Sequence, residues 1–151
     1  MKSVQDFSPS GLRAARGVRG MSQDDVARAI GVTPNTVGRW ERGKGAPSSR
    51  LFGALVELLG VPRSTLLAPL SPEADLATLR TRAGLRQEDV AHELAVQRSD
   101  VSEMELGTSR MKDEWAIPLH ELYAVPLDRL ARAQEVTEAQ WQARLSAKKV
   151  H

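Results

Sequence analysis

The chain has 151 residues, 41% of them hydrophobic and 26% charged, with a net charge of +2, enough for one ordinary domain or two small ones with packed cores. It holds no cysteine, which excludes disulfides and thiolate metal sites and fits a reducing compartment. The opening MKSVQDFSPSG lacks a signal-peptide core, and the longest apolar run, around Leu51 to Val61, is broken by Gly53, Glu57 and Gly60; a soluble cytoplasmic protein without a membrane span is expected.

In chain order, residues 1–7 read as disordered. Ser8-Pro9 starts a helix through Leu12, Ala15 and Val18 that ends at Gly20. Ser22 then caps a helix whose first turn holds Asp24 and Asp25, where the helix dipole favours negative charge. Val26, Ala27 and Ile30 make its apolar face, and Gly31 ends it. The next helix restarts at once, with Thr33 as cap, Pro34 at its first position, Val37 and Trp40 facing inward and Gly43 as its stop. Two helices joined by about three or four turn residues form a helix-turn-helix, which suits placing the second helix in the DNA major groove. Gly43 to Pro47 is a loop. Ser48 caps a helix with Leu51, Phe52, Leu55, Leu58 and Leu59 inward, ended by Gly60, and Pro62 opens a last short helix returning Leu66 and Leu67 to the core. No alternating strand pattern is found.

The pattern then repeats. Adding 64 to each position lays the first segment on the second without a gap: Leu12, Arg16 and Gly20 meet Leu76, Arg80 and Gly84; Val26, Val37 and Glu41 meet Val90, Val101 and Glu105. The predicted organisation is a domain over 8–68, a linker over 69–73 stiffened by two prolines, a second domain over 74–134, and a C-terminal helix or tail over 135–151. In that tail Thr137 and Gln140 could form a capping box. The two halves differ in charge. Leu12 to Leu70 holds nine basic and four acidic side chains, a net +5, whereas Leu76 to Gln134 holds eight and ten, a net −2. Only the first half carries an electrostatic footprint for phosphate.

The first half resembles the Cro/phage-repressor helix-turn-helix, or Xre, family through Leu12, Arg16, Gly20-Met21-Ser22-Gln23, Val26-Ala27, Ile30-Gly31-Val32, Thr36-Val37, Arg39-Trp40-Glu41, Gly43, Pro47-Ser48 and Leu59-Gly60-Val61. The likeness covers residues 12–67 and is looser over 76–131. It implies an all-α fold: two tandem five-helix, lambda-repressor-like domains plus a short C-terminal helix. It also implies that Gln23 holds a phosphate, that Thr33, Asn35, Thr36 and Arg39 line the exposed side of the recognition helix, and that Arg42 and Lys44 lie beside the DNA backbone. Side-chain chemistry agrees: Asn35 can pair with adenine, Arg39 with guanine, and Arg42 and Lys44 with phosphate. Gly38 either lets the helix backbone approach DNA or is merely tolerated. Arg16 and Glu41 resemble a partly buried ion pair of the family, repeated by Arg80 and Glu105, and so stand outside the DNA contacts.

The second half departs from the pattern where DNA would be read. Arg86 replaces the cap Ser22, Asp100 and Glu103 replace Thr36 and Arg39, and Leu106 and Thr108 replace Arg42 and Lys44. Both a non-reading domain and a second DNA reader stay open. The run Gly38 to Lys44 spells G-x-x-x-x-G-K, but Gly45 stands where a phosphate loop needs Ser or Thr, and no strand precedes it. His92, His120 and His151 lack ligand spacing. The expectation is a non-enzymatic, cofactor-free regulator, in the commoner case a repressor, binding a double-stranded operator as a homodimer. The alternative is an antitoxin-like or partner-binding protein gripping another protein through its acidic second domain.

Overall fold

In a computed structural model, residues 3–4 and 6–150 are described. Among them every regular element is helical, with no strand. The chain divides into two compact units, Met1–Pro69 and Leu70–His151. The first contains α1 (Pro9–Val18), α2 (Gln23–Ile30), α3 (Pro34–Glu41), α4 (Ser49–Leu59) and a 3₁₀ turn (Arg63–Leu66). The second contains α5 (Leu76–Arg82), α6 (Gln87–Leu94), α7 (Arg98–Leu106), a 3₁₀ turn (Asp113–Trp115), α8 (Ala116–Tyr123) and α9 (Leu127–Val150).

The predicted caps set these boundaries. Ser8, Ser22, Thr33 and Ser48 each accept a hydrogen bond from a backbone N–H of the opening turn, and Asp25 closes the reciprocal half of the Ser22 box by accepting from Ser22 N–H at 2.9 Å. Gly31 ends α2 in the left-handed conformation, φ +79°, which glycine adopts without a Cβ penalty. Its counterpart Ala95, like Ala124 in the place of Gly60, adopts the same conformation with a Cβ present, φ +57° and +54°. Such backbone costs roughly 1–2 kcal/mol per residue, so the second unit is built with weaker helix stops.

Each unit buries its own core. Leu12, Val26, Val37, Leu55 and Leu66 are enclosed in the first, and Leu76, Val90, Val101, Leu119 and Leu130, each 64 positions later, in the second. Core volume is redistributed between the copies: Phe52 and Leu59 in the first correspond to Ala116 and the buried Tyr123 in the second.

Several segments differ from the expectations. Ser3, Val4, Asp6 and Phe7, expected in a disordered stretch, lie against the first unit: Val4 N–H donates to the Pro47 carbonyl at 2.8 Å, and the Phe7 ring meets Phe52 edge-on at 6.3 Å. The linker expectation shifts as well, because Leu70 packs on the second core while Arg129 and Arg132 donate to the Ser71 and Pro72 carbonyls. The last expected short helix of each repeat diverges: the first is only the 3₁₀ turn, whereas the second continues as α9 without a break. Thr137 is therefore not a cap. It is fully buried inside α9, where its hydroxyl donates to the Ala133 carbonyl and accepts from Leu76 N–H at 3.1 Å.

Candidate nucleic-acid interface

In the first unit α3 is held from behind. Glu41, at its last turn, is 4% exposed and gathers three partners. The Arg16 guanidinium binds it in bidentate fashion, Nε to Oε2 at 2.7 Å and Nη2 to Oε1 at 3.0 Å; Gln23 Nε2 donates to Oε1 at 3.1 Å; and Arg13 donates to the Glu41 carbonyl at 2.9 Å. Burial works to raise the Glu41 pKa, but the hydrogen bonds from Arg16 and Gln23 and the nearby positive charge outweigh it and hold the carboxyl below its ordinary range. The same bond to Glu41, opposed by desolvation, raises the Arg16 pKa further. This ion pair fixes α1 and the head of α2 to α3, so the opposite side of α3 presents its side chains from a rigid support.

That opposite side carries the residues expected to meet DNA. Thr33, Asn35, Arg39, Arg42 and Lys44 are exposed, and Thr36 and Gln23 are half-buried. Asn35 and Arg39 are one helical turn apart. Arg39 Nη2 is 3.5 Å from the Lys44 carbonyl, at the outer limit of a hydrogen bond, so its guanidinium is readily redirected. A surface cavity of about 270 Å³, lined by Thr36, Arg39, Trp40, Gly45, Ala46 and Ser3, lies beside this face. Three assigned residues already have local work. The Thr33 hydroxyl accepts from Thr36 N–H and pairs with the Thr36 hydroxyl at 2.9 Å, so a contact by either to DNA competes with that bond. Gln23 spends one amide proton on Glu41 and keeps its carbonyl oxygen on the α3 side.

The family model described as "Helix-turn-helix" matches residues 12–66, and that described as "Helix-turn-helix domain" matches residues 74–133. Both units are helix-turn-helix domains. No curated protein and no solved structure matches the chain. Tandem helix-turn-helix domains support a DNA-binding regulator, and such families are typically non-enzymatic. Among the described residues no helix is long and apolar enough to cross a membrane.

The second helix-turn-helix domain repeats the support and changes the face. Arg80 binds Glu105 in bidentate fashion at 2.6 and 3.0 Å, and Gln87 Nε2 donates to Glu105 at 3.0 Å. Arg86 cannot accept a capping bond, but Asp89 accepts from its N–H at 2.8 Å and meets its guanidinium, so half of the missing cap is recovered. Asp100 is likewise engaged, accepting from Gln97 N–H at 2.9 Å. Arg98 Nη1 donates to Gln87 Oε1 at 3.1 Å, while Glu103 is left exposed on the outer face.

The decisive difference lies after the second helix of each helix-turn-helix. A Cβ built on Gly43 meets nothing within 4 Å, whereas one on the equivalent Gly107 would stand 2.8 Å from Trp141 Cβ and 2.9 Å from the Thr137 carbonyl oxygen. Helix α9 covers that turn, and Arg144 caps it by donating to the Leu106 carbonyl at 2.8 Å. The open, basic turn of the first domain, Arg42-Gly43-Lys44, is covered by α9 in the second, where Leu106-Gly107-Thr108 carry no charge of their own. Periodicity within α9 does not announce this, because the signal is a contact between residues thirty or more positions apart.

Proposed function

We propose that the protein is a sequence-specific transcriptional regulator of the Xre type, a repressor, that reads operator DNA with α3. Asn35, Thr36 and Arg39 take the base edges in the major groove, and Gln23, Thr33, Arg42 and Lys44 take phosphates. The single observation that carries the reading is the exposed Asn35–Arg39 face running into the open basic turn Arg42-Gly43-Lys44. Affinity then comes mainly from phosphate neutralisation, and discrimination from two or three base contacts worth about 1–3 kcal/mol each. One such reader is weak, so the protein acts as a homodimer on a near-palindrome with half-sites about 34 Å apart.

Selection of bound sequences from random duplexes tests this directly, because motif, symmetry and spacing emerge together. On the selected operator, Arg39→Ala should lose about 1–3 kcal/mol of preference over unrelated duplex while nonspecific affinity changes little. Equal loss on all duplexes would remove Arg39 from base reading.

A second role falls to the second domain. Its net negative charge, the exposed Glu103 and the α9 cover over Gly107 favour protein contact over DNA. Co-purification of a small basic protein that is lost on charge reversal at Glu103 would support this antitoxin-like or partner-binding use.

A further inference from the structure

Gly38 stands in the middle of α3, where glycine weakens a helix relative to alanine, yet it is buried. A Cβ built there would stand 2.9 Å from Arg42 Nη1 and 3.4 Å from Gln23 Oε1. Its bare Cα therefore meets two of the side chains assigned to phosphate, one from the first residue of α2 and one from the residue that ends α3. Gln23 is anchored behind by its bond to Glu41, so it forms a fixed wall, and Gly38 is the floor on which the Arg42 guanidinium lies. The second domain is an internal control. Ser102 and Leu106 occupy the places of Gly38 and Arg42, and the Gln87 carbonyl oxygen accepts from Arg98, at the other end of the helix. Where an arginine follows the helix, its seat lacks a Cβ. Where the seat carries one, the arginine comes from elsewhere.

We infer that Gly38 is a positioning residue: by lacking a Cβ it seats the Arg42 guanidinium against Gln23, so that the two side chains meet one DNA phosphate together. The inference rests on the assignment of Gln23 and Arg42 to phosphate in the proposed function. A guanidinium already seated loses less rotamer freedom on binding than one that must be recruited from solvent. The glycine thus serves a side chain of its own chain and not the approach of the helix backbone to DNA.

The test is a set of anisotropy titrations of the full chain on its selected operator and on an unrelated duplex, over a range of NaCl, for wild type, Gly38→Ala, Arg42→Ala and the double variant. Gly38→Ala should raise the melting temperature by a few degrees, because alanine suits the helix and the displaced atom is the tip of a flexible side chain. It should nonetheless weaken binding to both duplexes by similar factors, approaching about tenfold. It should also flatten the dependence of log K on log salt by up to about 0.9. The double variant should be no weaker than Arg42→Ala alone, since both remove one contact. Gly38→Ser, which copies the second domain, should behave like Gly38→Ala. Undiminished affinity and slope in Gly38→Ala, with both reduced in Arg42→Ala, overturns the seat and leaves the DNA reading intact. Additive losses, or a lowered melting temperature in both Gly38 variants, overturn it too. Wild type that binds no duplex in a salt-dependent way removes the DNA reading and the seat with it.

Discussion

Glu41 shows how one buried carboxylate can organise the support behind an exposed helix face. It is buried, and its worth depends on Arg16 and Gln23 staying in place. Removing one partner of such a pair costs about 3–5 kcal/mol when both are enclosed; the Arg16 side chain keeps 20% exposure, so Glu41→Gln should cost about 3 kcal/mol, the low end. The pH dependence follows from the lowered pKa. In the unfolded chain the carboxyl titrates near about 4.3; in the fold it titrates below that. Its contribution is complete above the unfolded value and disappears as pH falls through the folded one. Glu41→Gln should therefore flatten the acid limb of stability below about pH 4.3, in melts followed by circular dichroism. Asp25, lowered by the backbone and side-chain hydrogen bonds of Ser22, keeps a residual slope in the variant. A variant with the wild-type acid limb would show that Glu41 is not the group responsible.

At the scale of elements the two copies of one pattern calibrate each other. Gly43 and Gly107 both hold left-handed backbone, φ +73° and +89°, so an alanine at either costs roughly 1–2 kcal/mol in strain. Only at Gly107 does the new methyl also press on α9, on the Thr137 carbonyl and the Trp141 Cβ, which adds about 1–3 kcal/mol of overpacking. Gly107→Ala should thus destabilise the second domain by about 3 kcal/mol, and Gly43→Ala the first by only about 1 kcal/mol, as measured by amide exchange resolved by domain. Equal losses would mean that α9 does not bear on the turn. Helix starts and stops were legible in the sequence because caps are local: Ser22, Thr33, Ser48 and the glycines carry their signal within a few residues. The repeat made the core legible too, since Val26 and Val90 must point the same way. What stayed hidden has distant partners. Thr137 reads as a cap beside Gln140, but Leu76 N–H, 61 positions away, holds its hydroxyl inside the fold. Gly38 reads as a site of backbone approach to DNA or as a tolerated weak point until Gln23 and Arg42 are both seen beside it.

Over the whole molecule, charge and packing are divided along the same line. Each unit encloses its own apolar cluster, so neither needs the other to bury its helices, and the excess of positive charge lies in the first. Phosphate contact by Arg42 and Lys44, with Arg39 nearby, predicts a slope of log K against log salt of roughly −2 to −3 for each bound copy of the first domain. The second domain places Leu106 and Thr108 at the equivalents of Arg42 and Lys44 and is closed there by α9. A fragment of residues 1–69 should therefore fold, melt cooperatively and retain that slope for each copy bound, at lower affinity if pairing of chains is lost. A fragment of residues 70–151 should fold as well, because α9 completes its core through Leu130, Ala133 and Val136, yet it should not compete for duplex at low salt. Competition by the second fragment with a comparable slope would make both domains readers, and a monomer with two recognition helices would then replace the homodimer as the DNA-binding unit.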